Sequence, residues 1–443
     1  MSELFTSNEL DNSKQDQDKS GALGVLFLAV FIDLLGFGIV IPLLPFWAKN
    51  LQATDFTYGI LVSIYSMMQF VFAPLWGRIS DKRGRRPVIL IGLTGSIIGF
   101  SILAIANSLI MLFVARIIAG IFTAATLPTS QAYISDTTTG ADRAKGFGLI
   151  GAAFGLGFAL GPGIGGVLFI FGGYALSALF AAGLAVVNLL LAIRILPESL
   201  TRNIREERTK YRASKERISR FEILDTLFKN PTILVLIVIF SVVGLAFSNF
   251  EATLALFGRE RFGLDEAQAG ILFLIVGIVI IIVQGGFIRP LANRFAEPVL
   301  ITVGLVFLTL GFIGLSTVYS LQAMVFWTIP VAIGSSVANP TLGSFLSKKA
   351  PPERQGEILG INQGMGSLMR IVGPLWGTFV LDINTAYPFY TGAALLAVAV
   401  VVATILMVSI RERIPGITIC LNCGVRLQEG AAYCSQCGFS VPS

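Results

Sequence analysis

Long apolar runs separated by short polar turns organise this chain. They recur at about 22–48, 56–77, 87–106, 109–134, 146–170 and 174–196, then at about 231–257, 267–288, 297–318, 321–346, 356–381 and 388–410. Each is long enough to cross a bilayer as a helix, which takes ~20 mainly apolar residues. None alternates with the two-residue period of a barrel strand. Backbone in hydrocarbon must satisfy its own hydrogen bonds, so such spans are helical. The pattern predicts an all-α integral membrane protein of about twelve transmembrane helices in two pseudo-symmetric six-helix bundles. The expected order is a disordered tail over 1–20, a bundle over 21–196, a charged linker over 197–230, a second bundle over 231–410 and a separate tail over 411–443.

Composition and charge sharpen this. With 54% hydrophobic and 13% charged residues in 443, a soluble domain is excluded. The net charge of +6 is no nucleic-acid footprint, because the basic residues cluster in a few turns. Arg78 to Arg86, Arg143 and Lys145, the linker, Arg289 and Arg294, Lys348 to Arg354, and Arg411 and Arg413 all fall on one side of the expected membrane. The opposite turns are short and nearly uncharged, as at Asn107-Ser108 and Gly172-Gly173; Arg259 and Arg261, accompanied by acids, are the exception. Lys/Arg-rich short loops stay on the cytoplasmic side, so both termini are expected there, in a multi-pass protein of the cell membrane. No histidine is present, which leaves Asp, Glu, Tyr or Lys to carry protons within the spans. There is no Gly-x-x-x-x-Gly-Lys-Ser/Thr loop for a hydrolysis-driven pump and no nucleophile–base constellation, so the chain does not read as an enzyme.

The two halves repeat. A shift of 212 positions carries Pro128-Thr129 onto Pro340-Thr341, Gly161-Pro162 onto Gly373-Pro374 and Asp81-Lys82 onto Asn293-Arg294. Parallel halves of this kind place a substrate site at the midplane between them. Asn293 replaces the acid, so the second copy of the turn should hold a weaker latch.

Several residues carry candidate chemistry. Gly77 to Arg86 is a tight basic turn in which Gly77 and Gly84 suit a reversal. Gly157, Gly161 and Gly165 bare one helix face for close packing, and Pro162 removes an internal hydrogen bond and can hinge the helix. Asp33 in the first span, Arg116 in the fourth, Glu251 in the seventh and Arg370 in the eleventh are ionisable groups at membrane depth, which need a partner or a wet cavity. Asp33 could trade protonation against pairing with Arg116. Glu251 is a second proton carrier or a cation anchor, and Arg370 a cavity arginine or the partner of Glu251. Gln69, Asn188, Asn249, Gln284, Asn362 and Gln363 are polar candidates for the cavity, although a single polar residue in a span also serves as helix–helix glue.

Three of these stretches carry a resemblance. Gly77-x-x-x-Asp81-x-x-Gly84-Arg85-Arg86 resembles the loop signature of major facilitator superfamily transporters. Gly157-x-x-x-Gly161-Pro162-x-Ile164-Gly165-Gly166 is similar to the antiporter signature of that superfamily's drug exporters. Asp33-x-x-Gly36-x-Gly38 with Pro42-x-x-Pro45 looks like the first helix of its proton-coupled tetracycline and multidrug efflux proteins. The resemblance implies proton-driven efflux of small amphiphilic compounds by alternating access. It implies a proton-coupling role for Arg116, although Ala119 stands where the family usually has Gln. It also implies a relay of Asp81, Arg85 and Asp136 that holds the outward-open state, and a glycine stripe that seals the halves. A uniporter or metabolite exporter is the rival in the same class, and a sensor or scaffold on a transporter fold the rival in another.

The end of the chain reads Cys420-x-x-Cys423-Gly424 and Cys434-x-x-Cys437-Gly438. Four thiolates in two such knuckles can close around one tetrahedral ion. Two disulfides are the alternative, but thiols on the cytosolic side stay reduced, which favours structural zinc. The segment resembles a zinc ribbon and would suit a protein partner. Transport itself calls for no cofactor: the expected partners are lipid, protons and a small-molecule substrate.

Overall fold

The computed structural model describes residues 2–138, 140–200, 230–351 and 354–412. The linker over 201–229 and the four cysteines lie outside the described residues. The described chain is helical throughout, in the order α1 (Ser2–Val40), α2 (Leu44–Asn50), α3 (Asp55–Arg83), α4 (Arg85–Ala104), α5 (Leu109–Thr123), α6 (Thr126–Thr137) and α7 (Gly140–Ile195). Then follow α8 (Pro231–Phe262), α9 (Glu266–Ile282), a π-helical turn (Val283–Phe287), α10 (Ile288–Arg294), α11 (Glu297–Ser316), α12 (Leu321–Lys349), α13 (Gln355–Ile383) and α14 (Tyr387–Glu412). Ten segments among the described residues are long and apolar enough to cross a membrane. One of them, Gly146–Ile195, has 50 residues and folds back on itself. Its backbone leaves the helical region at Gly172 and at Gly173, where φ is 64°, a value that suits glycine. Past the bend, Ser177 donates to the Gly165 carbonyl at 3.3 Å.

Two expectations change. Residues 2–20, read as a disordered tail, continue α1; no glycine or proline occurs before Gly21 to interrupt the helix. The basic turn is also shorter than expected. Helix α3 runs through Gly77 to Arg83, and the reversal falls on Gly84 alone, where φ is 109°. A Cβ on Gly77 would meet nothing within 4 Å.

The repeat is built into the helices. A shift of 212 positions carries α4, Arg85–Ala104, onto α11, Glu297–Ser316, and the start of α5 at Leu109 onto the start of α12 at Leu321. Even the caps correspond. Ser108 and Ser320 share φ −143° and ψ 155°, and each accepts from the backbone N–H three residues on.

Each half has its own apolar core. One core joins Ile233, Leu254, Leu308, Phe312 and Phe389, while the first half is filled by two clusters, around Ile39 and Leu112 and around Leu26 and Leu93. Few side chains cross between them: Phe46 packs into the second half's core, and Leu256 and Leu381 into the first half's. All three lie toward the end opposite the basic turns.

The halves meet at that same end. Ser63 on α3 donates to the Ile371 carbonyl on α13 at 2.8 Å, and Phe56 meets Phe379 edge-on at 6.3 Å. On the other flank, α7 approaches α9: a Cβ on Gly163 would lie 2.7 Å from Leu274, and one on Gly270 2.6 Å from Gly166. Toward the basic turns the helices part. A Cβ on Gly148, Gly151, Gly285, Gly286, Gly360 or Gly364 would meet nothing within 4 Å.

Candidate functional site

The gap between the parted helices ends in a cavity. Its wall comes from α1 (Asp33, Leu34, Phe37), α3 (Tyr65, Ser66, Gln69), α5 and α6 (Thr123, Thr126), α7 (Phe158) and, from the other half, Arg370 on α13. Two opposite charges therefore face one space from the two halves, amid aromatic and aliphatic side chains. Gln69 donates to Tyr65 Oη and Thr123 Oγ1, both at 3.1 Å, which holds α3 to α5 along the wall.

Asp33 is not paired with Arg116, as the sequence suggested. It accepts from Ser96 Oγ at 2.9 Å, with Thr126 beside it. Arg116 lies instead behind the aromatic wall, its guanidinium 4.3 Å from the Tyr65 ring centroid and 5.5 Å from that of Phe37. There it lines a second, smaller space with Tyr58, Ser248 and Glu251. The acid that acts on Arg116 is Glu251, and Glu251 in turn feels both Arg370 and Arg116. Which charges meet depends on how each helix is rotated, and the one-dimensional order of the charges does not carry that. Phe37 and Tyr65 thus stand between the cavity that Asp33 and Arg370 line and the smaller space that Arg116 and Glu251 line.

The other polar candidates scatter. Asn249 is buried and donates to the Pro388 carbonyl at 2.7 Å, so it ties α8 to α14 rather than lining the cavity. Gln284, in the π-helical turn, and Gln363 are exposed near the open end, while Asn362 and Asn188 are buried away from the cavity wall. The sequence missed Tyr65, Thr123, Thr126 and Ser96. Hydroxyls in a span look like packing residues until a wall is seen behind them.

The basic turn brings together the three residues that the resemblance assigned to a relay. Arg85, 5% exposed along its side chain, pairs through Nη2 with Asp81 Oδ1 at 2.8 Å and through Nε with Asp136 Oδ2 at 3.0 Å, and its Nη1 donates to Ser80 Oγ at 2.6 Å. Glu198, not foreseen, accepts from the backbone N–H of Arg85 at 2.8 Å and of Arg86 at 3.3 Å. A carboxylate there answers the positive end of the α4 dipole. Arg86 Nη2 donates to the Ile193 carbonyl at 2.6 Å. All these contacts lie within the first half and are made while the basic-turn end is parted. These contacts therefore do not depend on that end being closed.

The glycine stripe also does a different job from the one expected. Gly157, Gly161 and Gly165 face α1 of their own half: a Cβ on Gly161 would lie 2.7 Å from the Leu35 carbonyl and 2.8 Å from Gly38 Cα. The contact between halves is made one face over, by Ala159, Gly163 and Gly166 against Gly277, Leu274 and Gly270. Helical backbone angles persist through Pro162, and the break in α7 comes at Gly172-Gly173.

Two helical bundles around a charged cavity that opens at one end describe a membrane carrier rather than an enzyme. The sequence matches the Major Facilitator Superfamily over residues 26–374 and again over 287–417, and the chain belongs to that superfamily. It is 33% identical to the class C tetracycline resistance protein of Escherichia coli, over 80% of this chain and 88% of that protein. It is 32% identical to multidrug resistance protein 1 of Bacillus subtilis, over 87% of this chain and 96% of that protein. Among solved structures, a human organic anion transporter matches with a TM-score of 0.64 at 24% identity, over 87% of this chain and 99% of that one. A transporter of the POT family matches with a TM-score of 0.68 at 16% identity, over 88% of this chain and 96% of that one.

Proposed function

We propose that this protein exports small amphiphilic compounds in exchange for protons. The observation that carries the reading is the cavity between the halves, which presents Asp33 and Arg370 among aromatic and aliphatic side chains. The likeness to tetracycline and multidrug resistance proteins supports the same class of cargo. The twelve-span count follows if the two limbs of α7 are taken separately and α13 is added to the other nine candidate spans. Residues 21–196 and 231–410 are then the two moving bundles. The excess of Lys/Arg at one end supports a cytoplasmic position for that end and for both termini. On that reading the structure is the inward-facing state.

The four buried ionisable groups supply the coupling. Asp33 stands at the cavity wall, where a cationic cargo would take the place of its proton. Glu251 stands between Arg116 of one half and Arg370 of the other, so its charge state alters what holds the halves together. Protonation from outside, through the outward-facing state, would favour return to the state seen here, where cargo enters from the cytoplasm or inner leaflet.

The test is efflux of lipophilic cations and tetracycline-like compounds from vesicles under an imposed pH gradient, with Asp33→Asn as the comparison. We expect flux that follows the gradient and falls at least tenfold in the variant. Flux indifferent to both would replace the antiporter with a uniporter.

For the cysteine-bearing end, the two Cys-x-x-Cys-Gly knuckles support a structural zinc site that could dock a protein partner. Metal analysis of the purified full chain should find about one zinc per chain, lost in Cys434→Ser. Four oxidised cysteines and no zinc would sink that assignment.

A further inference from the structure

The cavity between the halves holds a guanidinium that no side chain neutralises. Arg370 on α13 is the one residue of the second half in the cavity wall, and Asp33 is the only other charged residue there. Arg370 Nη2 donates to Ser367 Oγ at 3.1 Å, one turn earlier on the same helix. The Ser367 hydroxyl in turn donates to the Gln363 carbonyl at 3.1 Å, which leaves its oxygen as an acceptor and orients the arginine. No carboxylate among the described residues, Asp33 and Glu251 included, comes within 4.0 Å of the Arg370 nitrogens. Arg85, by contrast, has Asp81, Asp136 and Ser80 around it.

An arginine at membrane depth persists only against a partner or in a wet cavity. The rest of the wall supplies no partner. The Gln69 amide nitrogen is spent on Tyr65 and Thr123, and Asp33 is held by Ser96 on its own side. Most of the planar guanidinium fork is therefore open to whatever fills the cavity. That fork matches a carboxylate or another planar anion with two parallel hydrogen bonds, a geometry no ammonium offers. Beside it lies flat apolar surface: the Phe37 ring is 5.2 Å from Tyr65 and 5.7 Å from Phe158, centroid to centroid. The wall thus offers a cation, an aromatic shelf and an acid to a single occupant.

We propose that Arg370 anchors an acidic group of the cargo, and that the preferred cargo is a zwitterionic aromatic amphiphile. Its planar anion sits on Arg370, its apolar body on Phe37, Tyr65 and Phe158, and its cationic group toward Asp33. This role of Arg370 rests on the export reading above and narrows it, because a cargo of one sign answers only one of the two charges. A bound body that lacks the acid strips water from the guanidinium and gives nothing back. Sites built to hydrogen-bond a group discriminate strongly against the analogue without it. Asp33 and Arg370 come from different halves, so a zwitterion also bridges the two bundles, which a lipophilic cation held by Asp33 does not.

A rhodamine dye with a free carboxylate is a zwitterion, and its methyl ester is a cation of nearly the same size and shape. Equilibrium binding of each dye to the full chain in lipid nanodiscs, with empty discs as the blank, isolates the contribution of the acid. We expect the free acid to bind about tenfold more tightly than the ester. Arg370→Gln should bring the two within about twofold of each other, by weakening the acid and sparing the ester. Arg370→Lys keeps the charge but not the planar fork and should retain part of the preference. Asp33→Asn should weaken both dyes and leave their ratio unchanged. Equal binding of the two dyes by the native chain would overturn the role of Arg370 and leave export of amphiphiles standing. So would a preference that survives Arg370→Gln. Loss of both dyes in Arg370→Gln and Arg370→Lys alike would make the arginine a structural support and overturn the anchor. Binding of neither dye by the native chain would overturn the anchor and the export reading together. An acid preference without flux driven by a pH gradient would support the anchor while counting against proton exchange.

Discussion

Arg85 and its two acids have a mirror in the second half with the signs exchanged. The shift of 212 positions carries Arg85 onto Glu297, Asp136 onto Lys348 and Asp81 onto Asn293. Glu297 indeed pairs with Lys348, at 2.8 Å. The two pairs differ in burial. Arg85 and Asp136 are 5% and 6% exposed along their side chains, whereas Lys348 is 67% exposed. Breaking a buried pair strands the other charge and costs about 3–5 kcal/mol, whereas an exposed pair is worth about 1 kcal/mol or less. Arg85→Met should therefore lower thermal stability in detergent strongly, and Lys348→Met hardly at all. Copying the second half's charges with Asp81→Asn/Arg85→Glu/Asp136→Lys should recover much of the loss. If the triple variant is no more stable than Arg85→Met, the pair has no exchangeable role. The sequence showed the acid missing at Asn293, and the expectation of a weaker second latch followed from it. It did not show that a pair of opposite polarity replaces the first, because Glu297 and Lys348 come together only through the packing of α11 on α12.

Helix α7 carries two faces of small residues with different tasks. The Gly157–Gly161–Gly165 face lets α7 touch the α1 backbone, and Ala159, Gly163 and Gly166 let it touch α9 of the other half. Overpacking a well-packed contact costs roughly 1–3 kcal/mol, so the two faces should fail in different ways. Gly161→Leu should destabilise the first bundle itself and be read as a lower melting temperature. Gly166→Leu should leave the bundle folded and instead push apart the ends now in contact, which spin labels at Phe171→Cys and Tyr387→Cys, exposed positions on opposite halves, would register as a longer distance once the four native cysteines are changed to Ser. Equal loss of stability in both variants would contradict this division. The spacing of four was legible in the sequence as a bare stripe. Its partner was not, since helices on both flanks of α7 accept a small-residue face equally well.

Across the molecule, closure at one end and separation at the other suggest a rocking of two preformed bundles, each with its own core. Gly155 and Gln284 mark where the parted ends would next approach: a Cβ on Gly155 would stand 3.8 Å from the Gln284 side-chain oxygen. A short thiol cross-link between Gly155→Cys and Gln284→Cys, with the four native cysteines changed to Ser, should trap the chain and abolish transport. Reduction of a cleavable linker should restore it. Undiminished transport by fully cross-linked protein would show that the halves do not move against each other there.

Apolar runs of span length, the shift of 212 positions and the crowding of Lys and Arg into one set of turns determined by themselves that the chain is helical, membrane-embedded and duplicated. Those properties reside in local hydropathy and in residue order, and the bilayer leaves the backbone few alternatives. The loop motif likewise brought Asp81 to Arg85, because a tight reversal at Gly84 leaves little freedom, whereas Asp136 joins them through the packing of α6. Only the tertiary structure decided that Asp33 shares a cavity with Arg370 while Arg116 shares another with Glu251, that Asn249 is a strut, and that Lys49 reaches an acid of each half, Asp55 and Glu260. Such pairings depend on the rotation and tilt of helices far apart in sequence, which packing between bundles sets and no local pattern encodes.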